Sequence, residues 1–496
     1  SDFPGAGKIK VNLHFFRPLP ENTRIEISLT TQGKEVVKQS FALSPDSQYL
    51  VSGVPYHPGK NLSLTVRCFD RTSKLLGQMS TPFHRPDFPW LGNSIGLTRK
   101  VLKPWTPMEV VGKTVRVVGR SHLLAGTGLF ASLEDFGEEI LAGPMRIEIV
   151  SGKTTLQAIP ASKLSFTRQA AHQVRWKSSA VAVLPSGRLL FHISAEMDYD
   201  GSTKFTIEYM PEKGNLPLEG LTLIVPLKNE FVKTFSTVGS APAVDNWKDS
   251  DGVLPDQPGV VFQSSDLFGR WKMTLGNFLP MLWIGNDERG LAYMADNDRG
   301  WFPSDRYPAI TIYRHPHAAE WRFHFISEPV TLSGKREIVF GLQATPVRPL
   351  PENWRGYCFH VPGLKLKLPD DFPRLPWGSF LSDAAGWDEG GVLDYPYNPE
   401  KTRQVIENLR QQGLKATPHL DTAYLNWGWK KDTYRYFQEE WSSGGVAYNQ
   451  IFCRSKIDWC LESQRRWKEE FGIDGVYYDT GTLRPNYNTI SGTAYL

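Results

Sequence analysis

The stretch NPEKTRQVIENLRQQGLKATPHLD, residues 398–421, decides the fold class. Asn398 can cap a helix over about 400–412, Val405, Ile406 and Leu409 form its apolar stripe, and Gly413 stops it. Leu414–Asp421 then reads as a strand. Working backward, Trp377–Asp383 is a preceding strand. Working forward, a long aromatic loop leads to a second helix capped by Ser455, with Ile457, Cys460, Leu461, Trp467 and Phe471 as its stripe. Gly472 ends that helix, and Gly475-Val476-Tyr477-Tyr478-Asp479 is a third strand. Strand, helix, strand, helix, strand with right-handed crossovers is the start of an α/β domain, read here as a (β/α)8 (TIM) barrel. Trp377 to Leu496 is 120 residues, whereas such barrels take about 250. The expectation is a truncated barrel, with about the first three strands present.

Upstream the grammar is different. Ile9–Phe15, Arg24–Leu29 and Leu62–Cys68 alternate with period two, and Gly33, Ser44-Pro45-Asp46 and His57-Pro58-Gly59 punctuate them. That pattern predicts an antiparallel sandwich. Pro82–Pro107 reads as a proline-rich linker or a strap across a domain face. Strand patterns continue through Thr114–Gly119, Met145–Val150, Leu189–Ile193, Phe205–Tyr209, Leu221–Pro226, Leu291–Ala295 and Arg336–Phe340. They predict a second, larger β-sandwich. The expected division is 1–107, 108–350 and 351–496, a multidomain β plus α/β protein.

Composition agrees with a loop-rich, strand-rich chain: 43 Gly and 36 Pro among 496 residues, with 40% hydrophobic and 22% charged residues. A net charge of +4 is too weak and dispersed to argue for nucleic acid or a membrane surface. No apolar run is long enough for a transmembrane helix. Cys68, Cys358, Cys453 and Cys460 form neither a CxxC pair nor a disulfide framework, and buried free thiols are expected. No Walker A loop, GxGxxG after a strand, GxSxG elbow or HExxH is present. His315-Pro316-His317 offers two imidazoles without an acidic partner close in sequence, so no metal and no cofactor are expected. Asn286–Gly290 and Asn297–Gly300 read as tight turns flanking the strand Leu291–Ala295.

Each barrel-type strand ends on a carboxylate: Asp383, Asp421 and Asp479. Functional side chains of barrels gather at that end, although a strand-ending Asp equally suits a turn or a cap. Alternation puts Thr417, His419 and Asp421 on one side, and Gly475, Tyr477 and Asp479 likewise. The loops that follow carry Trp387, Asp388 and Glu389, then Tyr424, Trp427 and Trp429. Aromatic faces stack on sugar C–H faces, and carboxylates and amides bind hydroxyls, so this mixture suits a carbohydrate. The same Trp residues would also pin long loops to a scaffold. Glycosidic cleavage usually needs two carboxyl groups. Asp479, Asp421, Asp383 and Glu389 are the catalytic candidates. Trp387, Asp388, His419, Tyr424, Trp427, Trp429 and Tyr477 are the candidates for binding an oligosaccharide or polysaccharide.

Several short motifs together resemble glycoside hydrolase family 123: Phe88–Asn93 with Ile95-Gly96, Pro104–Pro107, Trp283–Asn286 with Arg289–Leu291, Asp298–Trp301, and Ala344–Val347 with Asn353–Arg355. The resemblance implies β-sandwich domains ahead of a (β/α)8 barrel and an extracytoplasmic, bacterial glycan-degrading enzyme. It further implies a β-N-acetylgalactosaminidase in which the substrate's acetamido group is the nucleophile, oriented by the Asp of an adjacent Asp-Glu pair whose Glu is the acid/base. This chain departs there: Thr480 follows Asp479, and its Asp-Glu pairs are Asp287-Glu288 and Asp388-Glu389. The departure bears on hexosaminidase chemistry and leaves a general glycosidase standing. Two other classes stay open: a carbohydrate-binding protein with a degenerate barrel, and a polysaccharide lyase for which Arg484 and Lys430 would neutralise a uronate.

Overall fold

Two-residue periodicity builds most of this protein. The computed structural model describes the chain except residues 57–58, 60, 238–250, 268–276, 350–376, 381–395, 397, 412–414, 422–431, 443–450, 480–485, 487 and 492–496, and describes the backbone alone at 377–380, 419–421, 432, 434 and 477–479. The chain divides into two compact units: Ser1–Leu97 with Asn353–Leu496, and Thr98–Glu352.

In the first unit a three-stranded sheet (Asp2–Phe3, Lys8–Asn12, Gln48–Ser52) faces a four-stranded antiparallel sheet in the order Lys34–Ala42, Arg24–Thr31, Asn61–Phe69, Leu75–His84. The inward residues Ile9, Val11, Ile25, Ile27, Leu29, Tyr49, Val51 and Val66 make one buried cluster. Each such aliphatic side chain contributes about 1.5–3 kcal/mol on burial. The hairpin between Arg24–Thr31 and Lys34–Ala42 turns on Gln32 and Gly33, at φ 49° and 76°. A left-handed pair of this kind matches the twist of the flanking strands.

The same unit holds a parallel sheet in the order Trp377–Phe380, Lys415–Asp421, Tyr477–Asp479. Three helices accompany it: α1 (Pro399–Gln411), α2 (Asp432–Trp441) and α3 (Arg454–Phe471). Asn398 Oδ1 accepts the Lys401 N–H at 3.0 Å, which is the cap expected for α1. Ile406 and Leu409 are buried under α1. Gly472 closes α3 in the left-handed conformation at φ 65°, its N–H bonded to Lys468 O.

Two helical details differ from the sequence reading. Cys453, not Ser455, is the N-cap of α3. The Ser455 hydroxyl is buried and accepts the Trp441 indole N–H at 2.9 Å. The buried stripe accordingly starts one residue earlier and runs Lys456, Cys460, Ser463, Trp467, Phe471, while Ile457 is exposed. Helix α2 lies where the sequence suggested only an aromatic loop. Its Phe437 and Trp441 rings stack at 4.8 Å and are both buried.

The proline-rich stretch after His84 behaves as a strap within this unit. Phe88 and Trp90 pack on Phe437 at 4.9 and 5.2 Å. Asp458 Oδ2 accepts the Gly92 N–H at 2.7 Å, and Asn93 donates to Asp458 O at 2.8 Å.

The second unit is a two-layer β structure. A six-stranded antiparallel sheet carries Arg146–Ser151, Gly220–Leu227, Ala319–Ile326 and Ile310–Arg314 in adjacent order. A larger antiparallel sheet carries Gln173–Leu184, Gly187–Asp198, Thr203–Pro211, Arg336–Thr345, Gly290–Met294 and Met281–Gly285. Their inner faces share one core. Tyr293 of the larger sheet meets Phe323 of the smaller at 4.6 Å, and Phe205 stacks on Phe340 at 5.3 Å. A five-stranded sheet within Glu109–Glu139 joins through Phe130, 5.2 Å from Phe205. The protein is thus mostly β, with several antiparallel sheets and few helices. Among the described residues the three parallel strands form an open sheet and not a closed barrel. No helix there is long and apolar enough to cross a membrane.

The turns read from sequence are turns in the structure. Asn286 Oδ1 accepts the N–H groups of Glu288 and Arg289, closing the hairpin between Met281–Gly285 and Gly290–Met294. Gly300 sits at φ 86° with its Cα against the backbone: an added Cβ would stand 2.1 Å from Glu337 O. Its carbonyl accepts the buried Tyr209 hydroxyl at 2.5 Å. Gly300→Ala therefore combines left-handed strain with a backbone clash. It is expected to destabilise the second unit by more than about 2 kcal/mol, read as a lowered urea midpoint for unfolding.

Candidate active site

The parallel sheet places two of the sequence-derived carboxylates, Asp421 and Asp479. Asp474 locks its amino end: Ala416 N–H donates to Asp474 Oδ2 at 2.9 Å, and Asp474 N–H donates back to Ala416 O at 3.0 Å. From that anchor the ladder runs His419 opposite Tyr477, Leu420 opposite Tyr478, and Asp421 opposite Asp479. The two aspartates are thus register partners on neighbouring strands, at the carboxyl end of the sheet. His419 and Tyr477 form the rung two residues below, so all four residues belong to one face by strand alternation. The first parallel strand pairs Ser379 with Thr417 and Phe380 with Pro418. Asp383, Trp387, Asp388, Glu389, Tyr424, Trp427 and Trp429 lie outside the described residues, as do Lys430 and Arg484.

The remaining sequence candidates are placed elsewhere. Asp287-Glu288 forms part of the exposed hairpin turn of the second unit. His315 Nε2 lies 3.4 Å from Glu320 Oε2, and its ring is 4.7 Å from Tyr313. No group of metal ligands occurs among the described residues. Cys68, Cys453 and Cys460 are buried free thiols, and burial raises the pKa of each.

Beside the parallel sheet, the first unit contains a buried polar cluster that the sequence reading missed. Arg85 is fully buried and forks onto Asp2 through Nε and Nη2 at 2.9 and 2.7 Å. Its third nitrogen donates to Pro55 O at 2.6 Å. Tyr436 of α2 donates its hydroxyl to Asp2 Oδ2 at 2.5 Å. Burial and the neighbouring Asp2 carboxylate push that phenol well above its ordinary pKa. One turn on, Glu440 is buried and takes the Ala6 N–H at 2.9 Å. Burial pushes its carboxyl up to about 7. The Lys456 ammonium lies over the rings of Trp441 and Trp459, 4.9 and 4.6 Å from their centroids. One signal for α2 was available in sequence. Tyr436, Phe437, Glu440 and Trp441 recur at i, i+1, i+4 and i+5, a helical spacing with two acids on its last turn.

The family model described as glycoside hydrolase 123, third domain, matches residues 108–300. The likeness read from scattered motifs therefore holds over that span of the second unit. No curated protein matches the chain. Among solved structures, a putative aldose 1-epimerase from Escherichia coli K12 is 8% identical, with 48% of this chain and 98% of that one covered at a TM-score of 0.30. A TPR-domain containing protein from Parabacteroides distasonis is 11% identical, covering 80% of this chain and 67% of that one at 0.33. An alpha-mannosidase from Enterococcus faecalis is 7% identical, covering 68% and 41% at 0.30. These likenesses are too remote to bear on fold or activity.

The Asp2–Arg85 pair sets a clear expectation. Arg85→Ala leaves the Asp2 carboxylate buried with only the Tyr436 hydroxyl. Removing one partner of such a pair costs about 3–5 kcal/mol. A shift of that size in chemical unfolding of the first unit is the check; a change under about 1 kcal/mol would mean the pair behaves as an exposed one.

Proposed function

We propose that the protein is a glycoside hydrolase that uses carboxylates at the carboxyl end of its parallel sheet, with Asp421 and Asp479 as the central pair. The observation that carries this reading is their register partnership. Adjacent parallel strands lie about 4.8 Å apart, so the register brings two carboxylate-bearing residues side by side, and glycosidic cleavage usually needs two carboxyl groups. The match of residues 108–300 to a glycoside hydrolase 123 domain supports the same class.

In this reading the three parallel strands open a (β/α)8 barrel, and the sandwiches are its accessory domains, divided near residues 107 and 350. One aspartate serves as acid/base and the other as nucleophile or as the group that orients a substrate acetamido. Tyr477, on the same face, hydrogen-bonds and tunes the carboxylate beside it. His419 contacts sugar hydroxyls. Trp387, Asp388, Glu389, Tyr424, Trp427 and Trp429 supply the aromatic and polar lining of the cleft, and Asp383 a third carboxylate. The substrate is a complex polysaccharide or glycoconjugate, with β-N-acetylhexosaminides the first class to assay, and the enzyme works outside the cytoplasm.

The test is turnover on a panel of aryl glycosides and N-acetylhexosaminides by wild type, Asp479→Asn and Asp421→Asn. Loss of an acid/base carboxylate is expected to lower kcat by about two to four powers of ten, with the unfolding midpoint unchanged. Activity of both variants within a few-fold of wild type would move the site elsewhere. Glycan binding by wild type without any turnover would favour a carbohydrate-binding protein.

A further inference from the structure

The last turn of α2 is where separate stretches of the first unit meet. Ala6 donates its N–H to Glu440 Oε1 at 2.9 Å. Gly5 fits so closely that an added Cβ would stand 2.8 Å from Ser455 Cβ and 2.9 Å from Glu440 Oε1. From the other direction, Asn488 donates its side-chain amide to the carbonyls of Glu439 and Ser442 at 2.7 and 2.9 Å. Lys8 reaches Ile490 O at 3.0 Å. The turn therefore holds both the amino-terminal segment and the segment that follows the third parallel strand.

Glu440 is the weak member of this junction. It is completely buried, and its Oε2 has no hydrogen-bond partner among the described residues. The ionisable and polar groups facing it come from three elements. Asp2, on the amino-terminal strand, is already engaged by Arg85 and Tyr436. Ser455, Cys453 and Lys456 lie at the start of α3, with the Cys453 thiol 3.5 Å from Ser455 Oγ. Glu439, on α2 itself, pairs outward with Lys10 at 3.0 Å. A half-satisfied buried carboxylate is costly, and a half-satisfied neutral carboxyl much less so.

We propose that the α2 terminus is a protonation-controlled clasp: neutral Glu440 holds Gly5 and Ala6 against α2 and α3, and ionised Glu440 favours an open segment in which water reaches Oε2. Burial is the largest cause of the raised Glu440 carboxyl, Asp2 adds to it, and Ser455 and the Ala6 N–H oppose it. The sign follows from linkage. A carboxyl raised in the closed state binds its proton more tightly there than in the open state. The closed state is thus favoured most at low pH, and that advantage is lost as pH rises from 4.5 to about 7. The Asn488 links use an amide and backbone carbonyls, so they do not titrate. The clasp stands whether or not the protein is a glycosidase.

Hydrogen–deuterium exchange of the whole chain tests it, with rates corrected for intrinsic exchange at pH 5 and pH 8. In wild type, protection of the Gly5 and Ala6 amides is expected to fall on the order of 50-fold between the two conditions. In Glu440→Gln, which keeps an acceptor for Ala6 and carries no charge, protection is expected to be independent of pH. Equal wild-type protection at both pH values, or a Glu440→Gln variant that keeps the wild-type drop, overturns the proposal. Should Glu440→Gln fail to fold, Gly5→Ala opens the same clasp by collision with Ser455. Its Ala6 amide is expected to exchange freely at both pH values, and retention of the wild-type pattern there also overturns the proposal.

Discussion

The buried fork between Arg85 and Asp2 is the constraint on which the first unit depends. It sits at the crossing of the amino-terminal strand, the chain leaving the sandwich, and α2. Removing a guanidinium and a carboxylate from water costs several kcal/mol for each ion, and a bare contact does not recover it. Here further bonds offset it: the third nitrogen of Arg85 donates to Pro55 O, and Asp2 accepts another bond from Tyr436. The fork also fixes direction, because two parallel N–H···O bonds admit only one relative orientation of the groups. The strap beyond Arg85 then runs along α2 and α3, where Phe88 and Trp90 supply apolar area and Asp458 supplies acceptors. Polar bonds set the geometry of this junction, and aromatic burial supplies its strength.

Where the structure describes them, the motifs that resemble glycoside hydrolase family 123 hold the scaffold together. Trp283 lies across Gly285 and Gly290, where any side chain would collide with its indole, and its Nε1 donates to Thr345 Oγ1 at 2.9 Å. Gly300 admits the Glu337 carbonyl, and Trp301 fills the core beside Phe325. Trp105 donates to Val347 O at 3.3 Å and meets Tyr199 edge-on. Phe88 and Trp90 belong to the strap. The family match covers residues 108–300, within the second unit, and not the parallel strands that carry Asp421 and Asp479.

How much was legible in the sequence depended on the range of the forces involved. Strand alternation and turn chemistry are local, and so the antiparallel strands, the Asn286 hairpin, the Asn398 cap and the Gly472 stop were readable. The end of α3 was clear, but its start was not. Ser455 has the chemistry of a cap, yet a distant Trp441 indole claims its hydroxyl. Helix α2 was faint, its one spacing signal carried by aromatic residues of modest helix propensity, and its stability comes from packing against Trp90 and α3. The aspartates ending the second and third parallel strands could be picked out individually. Their pairing could not, because register between strands 58 residues apart is a tertiary property. Asp2, Arg85 and Glu440 carried no local signature, since each owes its role to a partner far along the chain.

The lock at the amino end of the parallel ladder has an evolutionary consequence. Asp474 and Ala416 set the alignment of the second and third strands from the edge opposite the aspartates. The alignment of Asp421 with Asp479 is thus supported by bonds at the opposite end of the ladder. The scaffold thereby separates what fixes the register of the two strands from the residues at their carboxyl ends, and the two can change independently.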